Sequence, residues 1–148
     1  IKIAKNMLDV EFYHIGKWSD VKGRENKTFF DYVESISPAN IKYLGYLKED
    51  QLISFYKYSK IYIQLSRHEA FGVSVLEALS YNCIPIVSNA FSLPEVVEGN
   101  GYVVKSISEA IKITRYALNL KSYKINKEYL ERFSVESRKK SFKKLLSL

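Results

Sequence analysis

The stretch SRHEAFGVSVLEALSYNCIPIVSN, Ser66–Asn89, decides which fold the chain is expected to adopt. It follows an apolar segment, Ile61–Leu65, and joins a helix-like pattern to a second apolar run that begins at Ile84. Two carboxylates, Glu69 and Glu77, interrupt this apolar sequence with seven residues between them. A core helix does not need Glu69, and a surface helix would not be this apolar. The pattern therefore predicts a ligand site where a strand gives way to a helix.

Strand and helix patterns alternate along the whole chain. We predict strands at Val10–Ile15, Ile41–Leu44, Ile61–Leu65, Ile84–Val87 and Gly101–Val104. We predict helices at Glu25–Ile36, Glu49–Tyr58, Val73–Tyr81, Ser108–Asn119, Ser122–Arg132 and Val135–Leu146, with a short helical turn at Leu93–Glu98. Strands separated by helices predict an α/β fold, in which a parallel sheet carries helices on both faces.

Length and composition are those of one soluble domain. The 148 residues are enough to bury a core, and 47% are hydrophobic while 26% are charged. The sequence contains no apolar run of the roughly 20 residues that a membrane helix needs, and no signal-peptide pattern. A single cysteine, Cys83, excludes an internal disulfide and is typical of a reducing compartment, so we expect a cytoplasmic protein.

The predicted site lies at the carboxyl end of Ile61–Leu65, because open parallel sheets bind ligands at that edge. Gly72 would allow a ligand close to the backbone, and the free N–H groups of Val73 and Ser74 at a helix start suit a phosphate. Carboxylates are strong acceptors for hydroxyl groups. The order hydroxyl, diphosphate, hydroxyl describes a sugar nucleotide, with Glu69 on the sugar and Glu77 on the ribose.

The segment EAFGVSVLE resembles the Glu-x7-Glu motif of the retaining glycosyltransferases of family 4, which have the GT-B fold. The segments IKYLGYL, LISFYKYSKIYIQL, IPIVS, LPEVVEGNGYVV and FSVESRKKSFKKLL follow the same family's order. The resemblance covers roughly Val10 to Leu148. It implies that residues 1–148 form a single Rossmann-like domain, the C-terminal half that binds a nucleotide-sugar donor in hexose transfer with retention.

The resemblance also implies roles for individual residues. Glu69 would contact the donor sugar and orient it during catalysis, and Glu77 would bind the ribose. The implied substrate-binding residues are Phe71, Gly72, Val73, Ser74 and Glu77, together with Gly16, Tyr46 and Leu47 at the nucleobase side of the crevice. The donor would be a UDP-, GDP- or ADP-sugar. We expect no metal or other cofactor, because the sequence has no Asp-x-Asp pair and no Cys/His cluster.

Three departures from the family pattern stand out. Asn82 replaces the glycine that ends the helix, and we expect it to keep the left-handed geometry. Ala90–Ser92 replaces a glycine pair in the loop over the donor. The sequence starts at Ile1 in what resembles the helix after the family's first strand, so that strand, a basic clamp and the N-terminal acceptor domain are expected to come from elsewhere: the chain is a fragment, or a partner chain supplies them. We expect the isolated chain to bind weakly and catalyse poorly.

The positive charge is concentrated in the C-terminal part. From Lys121 onward there are nine basic residues and three acidic ones, which accounts for most of the net charge of +7. The alternatives are a solvated helix face and attraction to an anionic partner, for example the inner face of a membrane. A nucleic-acid-binding module is disfavoured, because the basic residues do not alternate with aromatic ones. A non-catalytic nucleotide-sugar-binding or interaction domain is the other alternative.

Several other side chains have a structural interpretation. We interpret His14 as a core histidine, Cys83 as a small buried residue, and Arg67 and His68 as loop residues. Glu95 is expected to make a structural hydrogen bond.

Overall fold

The computed structural model describes residues 1–18 and 26–146. Its five short strands are β1 (Phe12–Ile15), β2 (Ile41–Gly45), β3 (Ile61–Gln64), β4 (Ile84–Ser88) and β5 (Tyr102–Val104). Every strand pair is parallel: β1 with β2, β3 with β4, and β4 with β5. The strands are joined by helices, which gives the Rossmann-like α/β arrangement expected from the alternating pattern.

The strands form two sheets and not the single sheet expected from the sequence. One sheet has the order β1-β2 and the other the order β3-β4-β5. No backbone ladder joins β1 to β3 in the described part of the chain. The two sheet edges therefore leave a gap between them, and the cavity in this gap is described below.

Eight helices are present in the described residues: α1 (Lys2–Lys5), α2 (Lys27–Ser35), α3 (Glu49–Tyr58), α4 (Val73–Ser80), α5 (Leu93–Val97), α6 (Ile107–Asn119), α7 (Lys127–Glu131) and α8 (Val135–Leu145). Polar residues fix several helix starts: the side chains of Asn26, Ser106, Asn126 and Ser134 each accept a hydrogen bond from an N–H group three residues further on. None of these helices has the length and apolar character needed to span a bilayer.

The largest core lies around the β3-β4-β5 sheet. Ile84 and Ile86 of β4 are almost fully buried and pack against Ile3, Met7 and α6 on one face. On the other face, Val87 packs with Val75, Leu79, Leu93, Val96 and Val97 of α4 and α5. This apolar packing on both faces of the central strand fixes the start of α4 against the end of β3.

Most element predictions are confirmed to within a few residues. The predicted and observed bounds of α3 agree, and Asn82 has the expected left-handed conformation, with φ of 64°. The predicted helix Ser122–Arg132 is wrong over its first half, because α7 begins at Lys127, after the capping residue Asn126. The predicted start of α2 at Glu25 lies outside the described residues.

Candidate functional site

The loop between β3 and α4 holds the first predicted carboxylate, Glu69, in a fixed position. Its side chain is partly buried. One carboxylate oxygen, Oε2, accepts a hydrogen bond from Gln64 Nε2 at 2.5 Å, and Oε1 accepts one from the backbone N–H of Gly72 at 3.1 Å. A weaker contact from the N–H of Phe71 has a length of 3.4 Å. Glu69 thus caps the turn that leads into α4, and its orientation is set before any ligand arrives.

A polar network behind Glu69 was not predicted from the sequence. Gln64 Oε1 accepts hydrogen bonds from the Tyr62 hydroxyl at 2.9 Å and from Ser74 Oγ at 3.0 Å. Tyr62 Oη and Ser74 Oγ are themselves 2.9 Å apart. Burial raises the pKa of Tyr62, which keeps its hydroxyl protonated. The signal in the sequence was Gln64, a polar amide within the otherwise apolar segment IYIQL.

Glu77, the second predicted carboxylate, lies one helical turn beyond Ser74 on the exposed side of α4. Its Oε2 accepts a hydrogen bond from the Tyr56 hydroxyl at 3.1 Å. Tyr56 in turn stacks on Tyr81, with ring centroids 5.9 Å apart and an interplanar angle of 6°. Burial raises the pKa of Tyr56, so the hydroxyl remains a donor to the carboxylate. Glu77 is therefore held at the rim of the cavity with Oε1 available as an acceptor.

The start of α4 offers backbone donors, as predicted. The N–H groups of Val73 and Ser74 have no hydrogen-bond partner in the described part of the chain. They stand at the positive end of an eight-residue helix, where an anion is favoured. Glu69 already occupies the two preceding N–H groups, so a phosphate would have to bind at Val73 and Ser74.

Gly72 has a structural role beside the predicted one of letting a ligand approach the backbone. Its φ of +88° belongs to the left-handed region, which disfavours any side chain. A Cβ atom at this position would lie 3.2 Å from Leu93 Cδ2 and 3.6 Å from Val75 Cγ2. The side of Gly72 that lacks a side chain therefore faces the core and α5, and its conformation sets the direction of the first turn of α4.

The three residues predicted for the nucleobase side line the same cavity as two of the predicted residues on α4. A cavity of about 910 Å³ is lined by Gly16, Tyr46 and Leu47 from the first sheet and by Ser74 and Glu77 from α4. Gly16 follows β1, has φ of +131° and donates its N–H to Gly45 O at 2.8 Å. These five predicted residues are therefore brought together by the fold.

The remaining predicted residues lie beside this cavity and not on it. Phe71 and Val73 are exposed, and with Glu77 they border a separate depression of about 570 Å³ between α4 and the α7–α8 segment. Glu69 and Gly72 line neither cavity. Glu77 is the predicted site residue that borders both spaces.

Cys83, Arg67 and His68 have the structural surroundings that the sequence suggested, whereas Glu95 and the core histidine predicted at His14 do not. Cys83 is fully buried, and burial raises the pKa of its thiol to about 11. Arg67 and His68 are exposed on the loop, and His68 lies 5.2 Å from Phe91 between ring centroids. For Glu95 the backbone carbonyl, and not the carboxylate, accepts a hydrogen bond from the Tyr129 hydroxyl at 2.9 Å.

His14 is only partly buried, and its environment favours the neutral imidazole. Its ring stacks on Trp18 with centroids 4.7 Å apart. Nδ1 is enclosed without a hydrogen-bond partner in the described residues. Desolvation lowers the pKa of His14, because a charged imidazolium would lose hydration at this position.

The arrangement combines donors for an anion with oriented acceptors for hydroxyl groups. The N–H groups at the start of α4 suit a phosphate, and two fixed carboxylates on either side of them suit hydroxyls. Residues 1–18 and 26–146 contain no cluster of three or more His, Cys, Asp or Glu side chains placed to hold a metal ion. The N–H groups at the start of α4 and the two carboxylates can bind and orient a ligand through hydrogen bonds and the helix dipole.

Comparison with known proteins gives a family and several relatives. The profile of the family described as "Glycosyl transferases group 1" matches residues 3–140. The chain is 35% identical to the O-antigen chain mannosyltransferase B of Escherichia coli over 86 residues, which is 57% of this chain and 23% of that protein. It is 37% identical to the serotype-specific mannosyltransferase WbdA of Escherichia coli over 62 residues, 42% of this chain and 8% of that protein. An uncharacterized 41.2 kDa protein in the cps region of Klebsiella pneumoniae is 33% identical over 67 residues, 45% of this chain and 19% of that protein.

Proposed function

Because the chain belongs to the glycosyl transferases group 1 family, we propose that it binds a nucleoside-diphosphate sugar and supports transfer of the hexose to an acceptor hydroxyl with retention of anomeric configuration. The observation that carries the proposal is the cavity on which Glu77 and Ser74 meet Gly16, Tyr46 and Leu47. The chain matches less than a quarter of the relatives' length, so the activity of a whole transferase is part of the proposal.

In this proposal the diphosphate binds at the N–H groups of Val73 and Ser74. Negative charge builds up on the leaving diphosphate in the transition state, and donors fixed at a helix start stabilise that charge without reorganisation. Glu77, held by Tyr56, accepts hydrogen bonds from the ribose. Glu69, held by Gln64 and Gly72, accepts them from the sugar and orients its ring as it gains oxocarbenium character.

The names of the relatives guide the choice of sugar and acceptor. Two of them are mannosyltransferases, and one is named for the O-antigen chain, a polysaccharide. We therefore propose mannose as the first hexose to test and a saccharide hydroxyl as the acceptor. Peripheral contact with an anionic membrane through the basic α8 is a further part of this proposal.

A thermal-shift screen tests the donor class. UDP-, GDP- and ADP-sugars, with the mannose derivatives first, are added to the chain over a concentration series. A ligand that binds only the folded state raises the melting temperature in proportion to the logarithm of its concentration. The proposal expects one base to give a clear shift and free mannose to give none. Equal responses to all nucleotides and to inorganic diphosphate alone would mean that the site is a general anion site.

A further inference from the structure

The depression of about 570 Å³ between α4 and the α7–α8 segment is not explained by the proposed donor site. Of the described residues, Glu77 alone lines both this depression and the larger cavity. The volume of the depression falls within the range of about 300–1,000 Å³ that is usual for small-molecule sites. This space is called the α4–α8 depression below, and its walls indicate which kind of molecule it can bind.

Two phenylalanine rings form the aromatic part of the α4–α8 depression. Phe71 and Phe133 are in contact, with ring centroids 5.9 Å apart and an interplanar angle of 65°. Phe133 is held by Tyr129, whose ring centroid is 5.2 Å away and whose hydroxyl donates to Val96 O at 2.7 Å. Phe71 remains 45% exposed. Its ring is therefore held in place by Phe133 and is still accessible to a ligand.

Polar groups that can bind hydroxyls lie beside these rings. Arg138 and Ser141 of α8 line the depression and have no hydrogen-bond or ion-pair partner in residues 1–18 and 26–146. A guanidinium group only donates hydrogen bonds, whereas a hydroxyl both donates and accepts. Arg132 also lines the depression, but its guanidinium bonds to Glu98 Oε2 at 2.8 Å and lies 5.1 Å from the centroid of the Tyr129 ring. Arg138 and Ser141 therefore have donors available to a ligand.

The charges around the depression favour a neutral ligand over an anion. The positive charge of Arg132 is paired with Glu98, while the unpaired Arg138 and the carboxylate of Glu77 line the same space. A phosphate would be attracted by Arg138 and repelled by Glu77. A sugar has hydroxyl groups that can accept from a guanidinium and donate to a carboxylate, and its C–H face packs on aromatic rings.

We infer that the α4–α8 depression is a second carbohydrate site, which binds one sugar unit of a neutral saccharide. The unit packs its C–H face on Phe71 and accepts hydrogen bonds from Arg138 and Ser141. Because Glu77 borders both spaces, a saccharide bound here lies beside the donor. We assign it to the acceptor chain, an assignment that rests on the proposed function: the donor's own sugar is placed at Glu69, which does not line the depression.

NMR titration of the full chain with mannobiose tests the site, and glycerol serves as the polyol control. Without nucleotide, the backbone amides of Phe71, Phe133 and Arg138 should shift with a saturating dependence on the mannobiose concentration. The amides of Gly16 and Tyr46, which line the larger cavity, should stay in place. The inference would be overturned by the lack of a saturating shift at the depression up to tens of millimolar, or by equal shifts with glycerol.

The variant Arg138→Gln tests the charged donor. Its affinity for mannobiose should fall at least about fivefold, since hydrogen bonds from a charged group are lost. Lys112→Gln removes the same charge from an exposed position on α6 and is the matched control, which should bind mannobiose like the unmodified chain. Both replaced side chains are exposed, so both variants should keep the amide spectrum of the folded chain. Equal affinities in the two variants would overturn the role of Arg138.

Competition with nucleotides separates this site from the donor site. If the depression holds the acceptor, mannobiose and the preferred nucleotide-sugar bind together and neither displaces the other. Displacement of mannobiose by the nucleotide-sugar, but not by the nucleotide without its sugar, would overturn the assignment to the acceptor and give the depression to the donor's sugar. Mannobiose shifts at the depression without nucleotide binding by the chain would overturn the proposed function and leave the carbohydrate site in place.

Discussion

At the scale of single residues, Gly72 connects the local backbone to the binding site. Its left-handed φ turns the chain so that Glu69 caps the loop, while the N–H groups of Val73 and Ser74 have no partner among residues 1–18 and 26–146. A side chain at Gly72 would meet Leu93 at 3.2 Å, so the substitution affects both backbone strain and packing. The site and the fold therefore depend on the same glycine.

Replacement of Gly72 by alanine should lower the free energy of unfolding by more than the same change at Gly99. Gly99 has a similar φ of +80°, but a Cβ atom there has nothing within 4 Å. The left-handed penalty of about 1–2 kcal/mol applies to both variants, and the contact with Leu93 adds to it only at Gly72. Urea denaturation of Gly72→Ala and Gly99→Ala measures the difference. Equal losses of stability would mean that Leu93 moves aside at no cost.

His14 should make the folded state sensitive to acid. Its folded pKa is lowered by desolvation, so its contribution to stability is fully present above the unfolded pKa of about 6.5 and is lost as the pH falls through the folded value. The variant His14→Phe keeps an aromatic ring against Trp18 and should lose part of this dependence. Denaturation at a series of pH values between about 7 and 5 measures it.

The exposed His68 provides the matched control for this measurement. His68→Phe should keep the acid dependence of the unmodified chain, since His14 is unchanged. An identical pH profile for His14→Phe and the unmodified chain would contradict the assignment to His14.

At the scale of elements, α8 differs from the other long helices because none of its residues is buried. Val135, Phe142, Leu145 and Leu146 are between 57% and 79% exposed, and at 100° per residue they fall within roughly a third of the helix circumference. Of the five basic residues of this helix, Arg138 and Lys139 fall within or beside the stripe, whereas Lys140, Lys143 and Lys144 fall on the rest of the helix surface. An exposed apolar stripe on a helix whose other side is basic is typical of helices that lie on anionic membranes.

Replacement of these five basic residues by glutamine should release the chain from anionic vesicles. Each basic residue near such a surface contributes about 1 kcal/mol at most, and the attraction is screened over about 8 Å at physiological ionic strength. Co-sedimentation with phosphatidylserine vesicles at low and high salt measures the effect. Neutral vesicles serve as the control, and failure of the unmodified chain to sediment at low salt would contradict membrane attachment. In that case the apolar stripe would be a contact surface for another polypeptide.

The sequence predicted local features well and tertiary ones less well. The bounds of α3 and the conformation of Asn82 follow from helix spacing and from the tolerance of asparagine for a left-handed cap. The segment before α7 was predicted helical, but its Asn126 bonds to the side chain of buried Asn100 and caps the next helix. That contact spans 26 residues, and no local pattern contains it.

The same difference between local and tertiary features applies to the candidate site. Glu69 and Glu77 were predicted as site residues from their spacing, because a strand-to-helix junction places polar residues at the ligand edge. The support from Gln64, Tyr62 and Tyr56 was missed, since these contacts depend on how β3, α3 and α4 pack together. The separation of β1 from β3 was also missed, because strand patterns predict strands and not their neighbours.

At the scale of the whole molecule, the two sheets divide the proposed donor site between them. The residues after β1 and β2 form one wall of the large cavity, and α4 contributes the other. The affinity for a nucleotide therefore depends on the distance between these two walls. We expect weak nucleotide binding by the chain alone.

Calorimetric titration of UDP, GDP and ADP into the chain and its Glu77→Ala variant tests the central claim most directly. Loss of hydrogen bonds to a charged group costs about 1–3 kcal/mol, so the affinity for the preferred nucleotide should fall roughly 5- to 150-fold. Glu34→Ala, which removes an exposed glutamate from α2, is the matched control and should bind like the unmodified chain. Equal affinity in the Glu77 and Glu34 variants would contradict the assignment of Glu77 to the ribose and with it the proposed donor site.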